Sequence, residues 1–139
     1  MKFSTHLVFS LMLSIALFPA FGFFSLLALA GGIFADADHY LYYAYKFRKF
    51  NPFECNRFFT EDGKKQNYRQ FEGILLVFHT LEFLLVMAIL SFYNKLVLMF
   101  TIGLVGHYAL DFIWFKFFVG RFILNHSLVW WLIKFKKFK

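Results

Sequence analysis

Three short groupings in this chain combine imidazole with carboxylate, and each lies in or beside a long apolar stretch. Asp36-Ala37-Asp38-His39 closes the first apolar run; His79 and Glu82 stand three apart in Phe78-His79-Thr80-Leu81-Glu82-Phe83; His107 and Asp111 stand four apart in Gly106-His107-Tyr108-Ala109-Leu110-Asp111. His6 adds an imidazole near the start. Residues three or four apart on a helix share a face, so each pair can aim nitrogen and oxygen at one point. An ionised group inside an apolar segment costs about 2.5–3.5 kcal/mol on insertion scales, and three such groupings call for a common partner. The natural partner is a divalent metal ion. His6, Asp36, Asp38, His39, His79, Glu82, His107 and Asp111 then form the candidate ligand set. Imidazole with carboxylate suits zinc first, with manganese or iron also matching, and does not suit calcium or a thiolate-seeking metal. A tetrahedral ion needs only three or four of these residues. The set therefore allows two ions sharing a carboxylate, or one ion with outer residues orienting the imidazoles.

Each grouping taken singly has a plainer explanation. Asp-Ala-Asp-His can be a helix-to-loop junction, and either helical pair can be a hydrogen bond joining two helices. His126, in Asn125-His126-Ser127, reads as structural. Tyr42, Tyr43 and Tyr45 read as aromatics of a membrane–water interface. Arg48, Arg57 and Arg69 read as a lipid-facing charge layer, with a phosphate as their alternative partner.

The elements that must position these residues follow from composition. With 139 residues, 60% of them hydrophobic and 24 of them Phe, and a mean hydropathy of +0.60, the chain is too apolar for an ordinary soluble domain. It reads as a single all-α integral membrane unit covering 1–139. The formal charge of +7 does not point to nucleic acid, because the basic residues flank hydrophobic segments. Anionic lipid headgroups are the expected partners, with a small-molecule or lipid substrate. The single cysteine, Cys55, excludes an internal disulfide. Lys2 followed by an apolar run and Ala28-Leu29-Ala30 resembles a signal peptide, but the run is about twice the usual length of such a core.

Thr5 to Ala35 is apolar throughout, interrupted by Phe18-Pro19-Ala20-Phe21-Gly22. Two readings compete. One long helix kinked at Pro19 would span about 45 Å and leave His6 and Asp36 on opposite sides. A hairpin of two arms, each about 14 residues and roughly 21 Å long, brings His6 back beside Asp36. The hairpin is favoured, since it places every Lys and Arg except Lys95 on one side, which the positive-inside rule assigns to the cytoplasm. Residues 40–72 form a polar loop, in which Tyr42 to Phe50 resembles an interfacial helix. Gly73 to Phe92 and Leu96 to Val119 read as third and fourth membrane segments. The shorter run Phe122 to Ile133, ending in Lys134-Phe135-Lys136-Lys137-Phe138-Lys139, reads as a helix lying on the membrane surface. The expectation is a small bundle of about four membrane helices plus that interfacial helix. Its metal site would face the cytoplasm at a bacterial or archaeal-type inner membrane.

Thr5-His6-Leu7-Val8-Phe9-Ser10, Asp36-Ala37-Asp38-His39, His79-Thr80 and His107-x-x-x-Asp111, in that order, resemble the membrane-bound metal-dependent hydrolases, the group that includes LexA-binding inner-membrane-associated proteins. That family carries an N-terminal histidine, a Pro-Asp-x-Asp-His motif, an Arg-Gly-x-Thr-His-Ser motif and a His-x-x-x-Asp motif. Ala35 stands where the family has proline, the Arg-Gly part of the third motif is missing, and Glu82 is extra. The resemblance implies metal ligation by Asp36, Asp38, His39, His79, His107, Asp111 and His6, without the family's arginine. It implies hydrolysis. A carboxylate not needed as a ligand, Asp38 or Glu82, would take the proton from a metal-bound water, and the basic surroundings point to a phosphate ester or lipid headgroup as substrate. The alternatives are a non-catalytic membrane metal-binding or scaffold protein, and a haem carrier using His79 and His107, which the adjacent acids disfavour.

Overall fold

A computed structural model describes residues 2–71, 73–120 and 127–137, with the backbone alone at 135–137. Every regular element among the described residues is helical. The architecture is all-α, as the sequence implies.

The N-terminal apolar run breaks where the backbone chemistry allows it. Helix α1 (Phe3–Phe21) carries Pro19 in its last turns and ends at Gly22, whose φ of 56° is open to glycine at little cost. A 3-10 turn (Gly22–Ser25) leads into α2 (Leu26–Phe34). The Ser14 hydroxyl donates to the Ser25 carbonyl at 2.9 Å, and a side chain at Gly32 would collide with Ser10. Partners that lie farther apart in sequence as they recede from Gly22 define an antiparallel hairpin. The reversal thus occurs at Gly22, three residues after Pro19. Pro19 removes one amide donor and weakens the last turns of α1 without ending it, whereas the positive φ at Gly22 favours glycine.

The face that α1 buries is polar. His6, Ser10 and Ser14 are its buried residues, at the four-residue spacing of one helical stripe, while Met12 and Ile15 are 65% and 64% exposed. Two helical stretches, Phe3–Phe47 and Lys95–Val119, are long and apolar enough to cross a membrane by length and composition; the first of these is the run that reverses at Gly22.

Over residues 40–71 the loop expected at 40–72 is instead largely helical. Helix α3 (Ala37–Phe47) continues out of the Asp36 junction. Helix α4 (Pro52–Arg57) starts at Asn51, whose Oδ1 accepts from the Phe53 and Glu54 amides at 2.9 and 3.4 Å, with proline at the first helical position. A π-helical turn (Phe58–Asp62) and the single turn α5 (Gly63–Lys65) follow. The segment's many aromatics explain the order. Tyr68, Phe71, Ile74, Leu76 and Phe115 form a buried cluster, with Tyr42, Phe58, Phe59 and Val119 packed against it. Tyr43 is buried with its hydroxyl on Glu54 at 3.1 Å, so of the three tyrosines expected at an interface it is part of the fold itself. In the same segment the Lys49 ammonium beside Glu54 holds that carboxyl below its usual range.

The expected third segment is shorter than Gly73–Phe92. Residues 74–76 belong to no regular element, with Leu76 extended (φ −108°, ψ 105°), Val77–His79 form a 3-10 turn, and the helix proper, α6, is Leu81–Ser91. Thr80 sets that start, its Oγ1 accepting from the Phe83 amide at 3.3 Å. At 11 residues, α6 is about 16 Å long, half a bilayer's apolar thickness. Asn94 caps α7 (Lys95–Trp114), the expected fourth segment, which ends in a π-helical turn (Phe115–Val119). Helix α8 (Leu128–Lys137) follows; the start of the run expected there, and His126, lie outside the described residues.

Helices α2 and α7 approach until their backbones touch. A Cβ at Gly31 would collide with the Phe100 carbonyl, and one at Gly103 with the Ala28 carbonyl. Small residues on facing helices permit this approach, and the metal-ligating candidates depend on it.

Candidate metal centre

The chain delivers its candidate ligands to one end of the helices from four places. His6 comes from the first turns of α1; Asp36, Asp38 and His39 from the α2–α3 junction; His79 from the 3-10 turn; His107 and Asp111 from α7. The hairpin is what returns His6. Its ring stacks on that of His107, centroids 3.8 Å apart, and its Nε2 lies 3.2 Å from Asp111 Oδ1.

At the centre, three donor atoms face one point. His79 Nε2 and His107 Nε2 are 3.2 Å apart. Asp111 Oδ2 lies 3.6 Å from the first and 3.5 Å from the second. The point in their plane equidistant from the three is about 2.0 Å from each, and the centre of a tetrahedron with edges of this size is about 2.1 Å from its corners, both within the range of zinc–nitrogen and zinc–oxygen bonds. Edges of this size are those of one face of a ligand tetrahedron.

The opposite ring nitrogens fix what these atoms can do. His107 Nδ1 is 2.7 Å from the Gly32 carbonyl, which can only accept, so that nitrogen is N–H. His79 Nδ1 donates to the Asp38 carboxylate at 3.2 Å. Each Nε2 is therefore left to bind something. Carboxylate and carbonyl partners on the far nitrogen are the arrangement that orients histidines on metals. Two lone pairs and a carboxylate oxygen converging in a buried site repel one another. A proton shared between the imidazoles answers for one edge of the triangle; a divalent cation answers for all three. His107 is 0% and His79 3% exposed, so water does not screen the problem.

The acidic grouping divides by role. Asp38 is the more committed: its carboxylate accepts from the Phe78 amide at 2.9 Å, from His79 Nδ1 and from His39 Nδ1 at 3.1 Å, three of its roughly four lone-pair sites. It aims His79. Asp36 is the less committed carboxylate. Its Oδ1 is 3.8 Å from His107 Nε2 and 3.6 Å from His39 Nδ1, and its Oδ2 is buried with no hydrogen bond. His6 Nδ1 is likewise buried and unbonded. Three overlapping triples bring seven of the eight candidates together: His6, His107 and Asp111; Asp36, His79 and His107; Asp38, His39 and His79.

Glu82 is the exception, and its expected places as ligand and as base are corrected. Its carboxylate accepts from Ser127 Oγ at 2.6 Å and from the Leu128 and Val129 amides at 3.0 and 3.2 Å. It satisfies the free N–H groups at the start of α8. His79 and Glu82 never share a helical face, because Thr80 opens the helix between them.

Two positioning features were missed at the level of sequence. The single Tyr108 hydroxyl proton is shared between the Phe78 and Thr80 carbonyls, pinning the turn that carries His79. Gly31-Gly32 and Gly103 bring α2 close enough for the Gly32 carbonyl to reach His107. Adjacent glycines beside an acidic motif, and a tyrosine next to a candidate ligand, were the available signals.

A cavity of about 640 Å³ opens beside the site. Asp36, His39 and Asp111 lie along it, and much of the remaining wall is aromatic. Lys2 is the cationic side chain among its described lining residues; Arg48, Arg57 and Arg69 do not reach it. Burial pushes the thiol of Cys55, which also lines it, up to about 11.

No family model matches the chain, and comparison finds neither a similar curated protein nor a similar solved structure.

Proposed function

We propose that this chain is a membrane-embedded, metal-dependent hydrolase whose site lies at the cytoplasmic face and acts on a phosphate ester. The observation that carries the reading is the convergence of His79 Nε2, His107 Nε2 and Asp111 Oδ2 with both opposite ring nitrogens already engaged. The membrane part is supported by the inverted packing of α1, polar within and apolar without. It is supported also by the basic residues that the sequence gathers near the site's end of the helices. The resemblance to membrane-bound metal-dependent hydrolases agrees with both.

A divalent ion held by His79, His107 and Asp111 would acidify a bound water and polarise the ester. The rest falls to the chain's own residues. Asp36, at the cavity with Oδ2 unbonded, accepts the proton. Asp38 and the Gly32 carbonyl keep the two imidazoles in the tautomer that leaves Nε2 unprotonated. His6 holds Asp111 by its second oxygen.

A non-catalytic reading, in which an ion only staples α7 to the turn before α6, is favoured by the ligands coming from separate elements. The cavity argues for catalysis, since structural sites are closed and catalytic ones keep an open side. The test is elemental analysis of purified protein together with phosphoesterase assay of Asp36→Asn. Stoichiometric metal, retained in the variant while turnover falls about 10²–10⁴-fold, is the expected result. Metal-free protein of normal stability overturns metal binding, and metal with no turnover in either protein leaves the staple.

A further inference from the structure

We infer that the cavity beside the metal centre is the seat of a hydrocarbon tail, so that the substrate is an amphiphile whose ester lies at Asp36 and Asp111 and whose chain lies along Phe59, Phe71 and Phe115. The inference rests on the hydrolase reading and adds the substrate class. At about 640 Å³ the cavity lies within the range of small-molecule sites.

Its wall is preformed. Phe71 and Phe115 are 4% and 7% exposed, members of the cluster that orders the segment after α3, and the Phe59 ring stacks on that of Phe71 with centroids 5.0 Å apart. Rings held in a packed cluster resist collapse into the space, and their faces offer a polar ligand no hydrogen-bond partner. The acids and imidazole gather at the metal centre, and among the described lining residues the one cation is Lys2. A nucleotide or polyphosphate needs several cationic donors, which Arg48, Arg57 and Arg69 do not supply here. One anionic head beside a metal ion and Lys2, with an apolar chain behind it, matches the distribution. Each methylene moved from water to such a wall tightens binding by about fourfold.

Cys55 is the single cysteine, it lines the cavity, and it serves as reporter. Its thiol donates to the His39 carbonyl at 3.8 Å, so it lies next to the site. The experiment is maleimide labelling of metal-loaded protein in zwitterionic lipid nanodiscs at neutral pH, followed over a long time course, with the label at Cys55 located by mass spectrometry. Dodecyl phosphate should slow labelling by about tenfold, the slowing that nine-tenths occupancy gives, while methyl phosphate at equal concentration should not. Asn56→Trp, at an exposed cavity-lining position, and Thr60→Trp, deeper in, should abolish the protection while the bound metal persists. A cysteine moved to the outward face of α1 (Ile15→Cys with Cys55→Ser) reports any general effect on the bilayer, and should show none.

Equal protection by methyl and dodecyl phosphate overturns the tail site, and so does no protection by either in protein that holds metal. Protection by dodecyl phosphate in protein that holds no metal keeps the tail site and removes the hydrolase reading.

Discussion

His107 with Asp111 and His79 with Glu82 look alike in sequence, each a histidine followed within about one turn by an acid on an apolar segment. The structure uses them oppositely. On α7 the pair stays together, with His107 Nε2 and Asp111 Oδ2 3.5 Å apart across four residues of unbroken helix. Around α6 the pair splits, with His79 turned into the centre and Glu82 turned to the start of α8. Spacing predicts a shared face only where one helix carries both residues. Thr80, an N-cap placed between the members of the second pair, removes that condition.

The largest expected effect tests this contrast directly. His107→Ala and Asp111→Asn should abolish stoichiometric metal, losing about 100-fold or more in affinity, since even outer partners of such ligands are worth about 10–100-fold. Glu82→Gln should bind metal as the wild type does. Both are read by elemental analysis after equilibrium dialysis. If Glu82→Gln loses metal as His107→Ala does, the two pairs are equivalent after all.

Next come the residues that aim His79. Asp38→Asn keeps the shape of the side chain but weakens the carboxylate–imidazole contact at 3.2 Å, so metal affinity should fall by about 10–100-fold without being lost. Loss as complete as in His107→Ala would make Asp38 itself a ligand. Tyr108→Phe strands the Phe78 carbonyl and loosens the turn. A cost of about 1–3 kcal/mol in stability, read as a lowered denaturation midpoint, is expected for a buried acceptor left unbonded, with a smaller loss of metal than in Asp38→Asn.

The sequence showed well which side chains gather and showed the backbone less well. Imidazoles and carboxylates in apolar surroundings are costly enough to be conspicuous, so seven of the eight candidates come together in space. The hairpin was legible because Gly22 and the charge asymmetry agree. What hydropathy could not show was where a helix starts. Gly73 to Phe92 is apolar but for His79, Thr80, Glu82 and Ser91, and the Thr80 hydroxyl caps the helix that begins at Leu81. Residues 40–72 misled for the opposite reason. Their charges mark a solvated face, and the aromatics between them, Tyr43, Phe58, Phe59 and Phe71, form a core that a count of polar residues hides. Roles within the acidic grouping depend on hydrogen bonds from distant backbone, such as the Phe78 amide on Asp38 across 40 residues, and no spacing rule encodes those.

The smallest effect follows from what Glu82 does in place of ligation. Its carboxylate takes the hydroxyl of Ser127 and two of the amides that α8 leaves unpaired at its start. Glu82→Ala removes all three contacts at once. The first turn of α8 should then fray, and the Leu128 and Val129 amides should exchange with solvent faster, while the amides of α7 around His107 keep their protection. Glu82→Gln retains an acceptor and loses only the charge that favours a helix N-terminus, so its exchange should lie between wild type and Glu82→Ala. Hydrogen exchange read by mass spectrometry separates the three proteins. Faster exchange around His107 in Glu82→Ala would tie this carboxylate to the metal centre and undo the division between the two pairs.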